Sequence, residues 1–292
     1  MRTALLFVVP CLLLGYVPAA RAQADPPGTA SILYLHHSTG KTFLWAGLEG
    51  WFTQQNAARG TDYRFAHFDF PKHSPYGWAN YPFEYWDIWV QHAGPEPYQE
   101  EPTLEVLTPQ YNVIIWKHCY YVGELEPDTG TPDITSPVHR VENYKLQYEA
   151  LKAKMRSFPN TRFLVWTGAA LLEASVDPPN TPERAQQARA FFEWVRDTWD
   201  KPGDNIFLWD FYELETEGGV YLKPEYARGP TDNHPSIDFA RALVPLLGNR
   251  VVDVIEGRGD TGGLTGDPAA VTREATALTR ETWGEVKAAG TR

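Results

Sequence analysis

Near its amino terminus the chain reads Ser31-Ile32-Leu33-Tyr34-Leu35-His36-His37-Ser38-Thr39-Gly40. A short apolar run rich in strand-forming residues ends here in a polar turn that a glycine closes. An amphipathic segment begins at Phe43. The order of strand, tight turn and helix is typical of open α/β sheets, which present reactive side chains at the carboxyl ends of their strands.

Ser38 has two possible roles in such a turn. Its hydroxyl can be exposed as a nucleophile, with its own backbone N–H directed at a developing oxyanion. It can equally be the N-cap of the helix that follows, which is a common position for serine. The turn alone does not decide between these roles.

The rest of the chain repeats the alternation of strand and helix. Apolar periodicity predicts further strands at 63–70, 111–116, 161–166 and 205–210. Helices are predicted at 44–58, 138–157, 182–199 and 235–247. Thr181 is the expected cap of the third helix, and Gly248 is expected to end the fourth. The pattern predicts a flavodoxin-like α/β fold: one doubly wound, five-stranded parallel sheet in the order 2-1-3-4-5, in three α/β/α layers.

Residues 71–109 interrupt this alternation with a long segment rich in proline, glycine and aromatic residues. Long insertions in compact α/β domains are often binding loops. We expect Trp78, Tyr81 and Trp86 to form a substrate-binding wall beside Ser38, or else to pack over the neighbouring helix.

The two ends of the chain differ in character from the middle. Residues 1–22 combine a basic start, a short apolar run and an Ala-x-Ala-like site, which predicts a signal peptide and a secreted or periplasmic protein. Cys11 leaves a lipoprotein as a less favoured alternative. The sheet domain is predicted at 23–256, and residues 257–292 as a linker and a tail helix at 268–289.

Charge and cysteine content narrow the partners. The chain carries 37 acidic and 26 basic residues, a formal net charge of −11, which argues against nucleic acid and anionic membranes as partners. No stable membrane insertion is expected, and this charge is compatible with a neutral or cationic small-molecule or carbohydrate substrate. Without the signal peptide, Cys119 is the only cysteine, so no internal disulfide is expected.

Three polar stretches follow strands or precede the last helix: His37-Ser38-Thr39, Lys117-His118-Cys119 and Asp232-Asn233-His234. A histidine before the last helix can fold back over the sheet edge toward Ser38, while Asp232 holds its Nδ1–H. A serine hydroxyl needs such a base to become nucleophilic. The alternative is that His234 is an ordinary residue at a helix start, with Asp232 or Asn233 as the cap.

From about Ile32 to Ile255 the chain resembles the SGNH (GDSL-like) hydrolases, whose serine follows the first strand and whose Asp and His precede the last helix. The resemblance implies a flavodoxin-like fold and a serine esterase that transfers or hydrolyses an ester acyl group without a metal or another cofactor. Ser38, Asp232 and His234 match the triad. Asp232-x-His234 is shorter than the usual Asp-x-x-His and resembles the spacing in sugar O-acetyl-handling relatives, so we expect an acylated carbohydrate as substrate.

Two features depart from the family pattern. Ser38 lies in His-Ser-Thr-Gly rather than Gly-Asp-Ser, and Lys117-His118-Cys119 stands where a Gly-x-Asn is usual. Gly77 is expected to fill the role of the family's glycine after the second strand, and His118 or Lys117 that of the missing Asn, as oxyanion donors beside the Ser38 N–H. Because the family's Asn is missing, a non-catalytic carbohydrate-binding protein that kept the fold remains the alternative.

Three other chemistries compete with the serine mechanism. One alternative is a metal cluster of His36, His37, His118, Asp232 and His234, but adjacent histidines in extended chain point to opposite faces. One of His36 and His37 is expected to be buried. Cys119 is a second possible nucleophile, with a buried structural thiol as the alternative. Glu84 and Asp87 resemble a glycosidase pair, although carboxylates in such loops are usually solvated.

Overall fold

The fold is that of a computed structural model, which describes residues 28–266. The signal peptide predicted at 1–22 and the tail helix predicted at 268–289 lie outside these residues. Within 28–266, no helix is both long enough and apolar enough to cross a bilayer.

The central sheet has five strands, all parallel: β1 (Thr29–His36), β2 (Asp62–Asp69), β3 (Val113–Trp116), β4 (Arg162–Trp166) and β5 (Ile206–Trp209). Their order is β2-β1-β3-β4-β5, as the sequence predicts. β1 lies between β2 and β3, pairing His36 with Asp69 and Tyr34 with Ile115. The carboxyl ends of these three strands therefore meet at one edge, at the switch point where ligands bind in such sheets.

Helices cover both faces of the sheet. The helices are α1 (Thr39–Trp45), α2 (Leu48–Arg59), α3 (Pro82–Trp86), α4 (Leu104–Leu107), α5 (Val141–Arg156), α6 (Pro182–Trp194), α7 (Phe211–Thr216) and α8 (Ile237–Ile255). One layer packs α1 and α2 against α8, and the other packs α5 against α3 and α6. This is the three-layer α/β/α arrangement.

Aromatic side chains fill the space between the sheet and both helix layers. Trp166 and Trp209 are register partners on β4 and β5, and the Phe43 ring of α1 meets both edge-on. On the other face, Tyr85 and Trp116 pack together, with ring centroids 5.0 Å apart. All five side chains are fully buried, so much of the aromatic content of the chain is core.

Several helix boundaries differ from the sequence prediction. The helix predicted at 44–58 is two helices, α1 and α2, because Gly47 takes a left-handed conformation (φ 104°) between them. The insertion at 71–109 contains α3, a π-helical turn at Asp87–Gln91 and α4. Thr181 caps α6 as expected, accepting the Arg184 N–H at 3.2 Å.

The last core helix does not end at Gly248. α8 continues to Ile255, and Gly248 lies inside it beneath the ring of Trp51 from α2. A Cβ at Gly248 would lie 2.4 Å from that ring. The glycine is therefore explained by the close approach of α2 and α8 and not by a helix stop.

Two short elements near the end of the domain were not predicted. A two-stranded antiparallel hairpin, β6 (Ala227–Gly229) and β7 (Asp232–Pro235), stands outside the main sheet just before α8. Residues 257–266, at the start of the predicted linker, pack along β5. The Leu264 carbonyl accepts the Asp210 N–H at 2.9 Å, and the Thr265 carbonyl accepts the Trp209 ring N–H at 3.0 Å.

The contact between α2 and α8 gives a test of stability. Gly248→Ala should lower the free energy of unfolding by about 1–3 kcal/mol, because a new methyl group is forced against the Trp51 ring. The matched control is Gly50→Ala in α2, where a Cβ meets nothing within 4 Å. That control should be neutral or stabilising by up to about 1 kcal/mol. Urea unfolding of both variants measures the difference, and equal effects would contradict the packing explanation.

Candidate active site

Ser38 lies in a tight turn between the end of β1 and the start of α1. The Gly40 N–H donates to the His37 carbonyl at 2.9 Å, which closes a β-turn with Ser38 in its second position. Ser38 has φ 45° and ψ −97°, close to the values at this position of a type II′ turn. Glycine is preferred at this position, so the backbone of Ser38 is in a strained conformation.

The Ser38 side chain does not cap α1. Although Ser38 occupies the N-cap position, its side chain makes no capping hydrogen bond. Its Oγ instead forms a short hydrogen bond with Nε2 of His234, which is 196 residues away in the chain. The helix-capping alternative for Ser38 is therefore wrong for its side chain.

His234 is held from its other side by Asp232. Nδ1 of His234 lies 2.6 Å from Oδ1 of Asp232, and the same oxygen accepts the His234 backbone N–H at 3.0 Å. This geometry assigns the proton to Nδ1, because a carboxylate can only accept. Nε2 then carries the lone pair that accepts the Ser38 hydroxyl proton. The three side chains have the connectivity of a Ser-His-Asp triad.

The hairpin β6–β7 is what brings Asp232 and His234 to the sheet edge. Between them, Asn233 is buried: its Oδ1 accepts the Leu172 N–H at 2.9 Å, and its Nδ2 donates to Ser175 Oγ at 2.7 Å. Asn233 therefore anchors the hairpin to the segment after β4 and is not a helix cap. The cap of α8 is Ser236, whose Oγ accepts the Phe239 N–H.

Arg228 is a further member of the site that the sequence prediction missed. Its Nε donates to Oδ2 of Asp232 at 2.6 Å, and its Nη2 lies 3.1 Å from Nδ1 of His234. Because Nδ1 already bears a proton, the second contact is a close approach of charge to the imidazole. The antiparallel pairing of β6 with β7 places Arg228 opposite these residues, and the Gly229-Pro230 turn signal could have revealed that pairing.

The electrostatics of the pair favour a neutral histidine beside an ionised aspartate. Burial raises the pKa of Asp232, but hydrogen bonds from Arg228 and His234 outweigh it and hold that pKa at about 2. Burial and the Arg228 charge lower the pKa of His234, against the opposing effect of Asp232. At neutral pH, His234 is thus ready to accept a proton.

Tyr120 forms one wall of the site. It begins the 3₁₀ turn Tyr120–Gly123 after β3, and its ring meets the His234 ring edge-on with centroids 5.1 Å apart. Tyr121 stacks on Tyr120 at 4.8 Å, and both rings are half-buried. These two tyrosines give the site a partly exposed aromatic surface.

Neither of the two predicted oxyanion donors, the Gly77 N–H and the His118 ring, is available in this structure. The Gly77 N–H is taken by the His73 carbonyl at 2.5 Å, in an exposed turn. His118 is fully buried among Tyr85, Trp116 and Tyr148, and neither of its ring nitrogens reaches the surface. Within residues 28–266, no acceptor takes the Ser38 backbone N–H, so this N–H is free to donate to an oxyanion.

The predicted aromatic wall is part of the core. Trp78, Tyr81 and Trp86 are each less than 10% exposed and pack on Tyr98, His139 and Phe83, respectively. Buried Glu84 causes this arrangement, because its carboxylate accepts the backbone N–H groups of residues 79–81 and folds the segment back on itself. These three aromatic residues therefore pack in the core, which was the alternative to a substrate-binding wall. The aromatic residues beside His234 are Tyr120 and Tyr121.

The competing chemistries find little support in the geometry. Glu84 is committed to backbone amides, and Asp87 pairs with His92 at 3.2 Å. His36 is buried against Asp69 and His67, whereas His37 is half-buried. Cys119 is a buried free thiol. In the part of the chain that the structure describes, no group of three or more His, Cys, Asp or Glu side chains is arranged to hold a metal ion.

Comparison with known proteins adds little to this geometry. No protein-family profile and no curated protein matches the chain. Among solved structures, the chain is similar to a gut microbial diltiazem-metabolizing enzyme, with a TM-score of 0.45 and 9% sequence identity. The similarity covers 83% of this chain and 49% of that enzyme's, so the chain spans about half the neighbour's length. A similarity this distant says nothing about activity or substrate.

The strained turn predicts an unusual order of stability at Ser38. Ser38→Gly should be more stable than Ser38→Ala by about 1 kcal/mol, because only glycine adopts a positive φ without strain. Ser157, an exposed residue with φ −72°, is the matched control. At that position alanine should be at least as stable as glycine. Urea unfolding of the four variants tests this, and alanine being favoured at both positions would contradict the strain.

Arg228 predicts a measurable change in the titration of His234. Arg228→Gln should raise the pKa of His234, because the cation that lowers it is removed while Asp232 remains. NMR titration of the His234 ring measures the change. Arg241→Gln is the control, since Arg241 is an exposed residue of α8 that pairs with Asp238. An unchanged His234 pKa in Arg228→Gln would show that the guanidinium does not act on the imidazole.

Proposed function

We propose that this chain is a serine ester hydrolase of the SGNH type. The observation that carries the proposal is the chain of contacts from Ser38 Oγ through His234 to Asp232, formed between the first strand and the last hairpin of the domain. A hydroxyl next to a neutral imidazole, which a carboxylate orients, is the arrangement that activates serine for attack on an ester carbonyl.

The proposed mechanism follows from the geometry. His234 Nε2 takes the proton of Ser38 as Oγ attacks the carbonyl carbon. Asp232 stabilises the positive charge that forms on the imidazole, and Arg228 holds the Asp232 carboxylate in place. The Ser38 N–H donates to the oxyanion of the tetrahedral intermediate. His234 then gives its proton to the departing alcohol, and water repeats the sequence to release the acid and restore Ser38.

The proposed substrate is an acyl ester of a carbohydrate. Tyr120 and Tyr121 support this choice, because half-exposed aromatic rings beside His234 offer an apolar face to a sugar ring together with polar hydroxyl groups. The formal net charge of −11 supports an uncharged substrate over a polyanion. We also propose that the protein acts outside the cytoplasm, on the basis of the signal-peptide pattern at 1–22.

A non-catalytic carbohydrate-binding role is the second candidate. It is favoured by one observation: beyond the Ser38 N–H, neither predicted donor, Gly77 or His118, is free to contact an oxyanion. A lost donor typically lowers the rate about 10²–10³-fold, which leaves either a slow enzyme or a binding protein.

Covalent labelling distinguishes the two candidates. A fluorophosphonate probe should label wild-type protein at Ser38, and p-nitrophenyl acetate and acetylated oligosaccharides should be hydrolysed. Ser38→Ala should lose the label and at least about 10⁴-fold in kcat. Ser157→Ala, which changes an exposed serine away from the turn, should behave as wild type. No labelling and no hydrolysis, with sugar binding retained, would favour the binding protein.

The pH profile gives a second readout of the same proposal. Activity should require neutral His234, whose pKa lies below the ordinary histidine value of 6.5. The acid limb of kcat/KM should therefore fall below pH 6.5, and it should move upward in Arg228→Gln together with the NMR titration of His234.

A further inference from the structure

Beneath the Ser38 turn lies a buried lysine that the proposed mechanism does not use. Lys117 follows β3 and is 1% exposed. Its Nζ donates to the His37 carbonyl at 3.3 Å, and this is the one hydrogen bond that the ammonium group makes within residues 28–266. His37 immediately precedes Ser38, so the lysine holds the peptide from which the nucleophile projects.

The turn is shaped around the lysine stem. A Cβ at Gly40 would lie 3.1 Å from Cδ of Lys117, 2.9 Å from Cβ of His36 and 2.7 Å from the Tyr34 hydroxyl. Glycine is required here because the turn passes directly over these three side chains. The Tyr34 hydroxyl also donates to the Gly40 carbonyl at 3.1 Å. Lys117 is thus built into the floor of the site, where it cannot touch a substrate.

Burying the Lys117 ammonium group costs desolvation free energy, and one hydrogen bond to a carbonyl does not offset that cost. No carboxylate in the described part of the chain lies within 4 Å of Lys117 Nζ. The facing carboxyl group is Glu215 of α7, which is fully buried and accepts the Ala170 N–H at 2.6 Å. An apolar side chain of equal length would avoid the desolvation of the charge. The charge itself therefore calls for a functional explanation.

We propose that Lys117 is a positioning residue for the Ser38 reaction, one that fixes the nucleophile turn and supplies positive charge beneath the developing oxyanion. This inference rests on the proposed function. It accounts for the missing side-chain donor, because a buried cation close to the turn stabilises negative charge without direct contact. Lys117 belongs to the Lys117-His118-Cys119 segment, which stands where the resembled family has Gly-x-Asn, and it acts from below the site.

The lysine is expected to titrate in a measurable range. Burial lowers the pKa of Lys117 to about 8, against the raising effect of Cys119 and Glu215. Burial raises the pKa of Glu215 and lowers that of His37. The titratable groups that face Lys117 are Tyr34, His36 and His37 at β1, His118 and Cys119 after β3, Glu215 on α7 and His234 on β7.

The test compares variants of Lys117 in the full-length protein by kcat at several pH values. Wild-type kcat should fall as pH rises through about 8, because Lys117 loses its charge. Lys117→Arg should keep its activity to higher pH. Lys117→Met should lose about tenfold to a hundredfold in kcat at pH 7, with little change in KM, and should show no alkaline limb.

Two neighbouring variants identify the group that titrates. Glu215→Gln should move the alkaline limb to lower pH, because the carboxylate that raises the pKa of Lys117 is gone. Cys119→Ala should retain a limb, which excludes the thiol as its source. Lys152→Met is the matched control: Lys152 is also buried, but its Nζ donates to the Trp199 carbonyl from α5, so kcat should stay as in wild type.

Failure of this inference is distinguishable from failure of the esterase proposal. An alkaline limb in Lys117→Met identical to that of wild type, or an unchanged kcat, would overturn the role of Lys117 while Ser38 labelling persists. If Ser38 is not labelled at all, the esterase proposal fails, and NMR titration still tests the lysine. Lys117→Met should raise the pKa values of His37 and His234, and unchanged values would reject the charge effect. Should Lys117→Met not fold, Lys117→Arg carries the same comparison.

Discussion

The parallel pairing of β1 with both β2 and β3 is the constraint on which the site depends. Because parallel strands end at the same edge, the pairing brings Asp69, the Ser38 turn and Lys117 together although the chain separates them widely. The edge is also where the strand order reverses, so no other connection of the sheet crosses in front of it. Ser38, which follows β1, is then open to a segment from elsewhere in the chain, and the hairpin before α8 occupies that position.

The sequence was sufficient for the sheet and for the central pair of the site. Continuous apolar runs such as Val113–Trp116 indicate buried parallel strands, and their alternation with helices predicts a doubly wound sheet. The position of His234 just before the last helix predicted that its side chain approaches Ser38. Features that depend on contacts between distant elements were harder to predict from the sequence. Gly248 resembles a helix stop until Trp51 is known to pack on it, and Trp78 resembles a binding residue until Glu84 is seen to fold its segment inward.

The electrostatic environment of the site is the part that pattern reasoning could not supply. Whether His118 or Lys117 contacts a ligand depends on which way each side chain turns after β3, and alternation in a short strand end does not determine that. The structure buries both: His118 in an aromatic cluster, and Lys117 under the nucleophile. Likewise, Arg228 stood only four residues before Asp232 in an unremarkable loop, and its role became visible once two three- to four-residue strands were seen to pair.

The separation of the hairpin from the main sheet has a consequence for how the protein would respond to heat or denaturant. Arg228, Asp232 and His234 all lie on this one small ribbon, which Asn233 ties to the segment after β4. Elements with few buried contacts open before the domain as a whole unfolds. Release of the buried asparagine would move His234, Asp232 and Arg228 away from Ser38 together. Loss of the contact between Ser38 and His234 would then be a local detachment, while the five-stranded sheet and its strained serine stay intact.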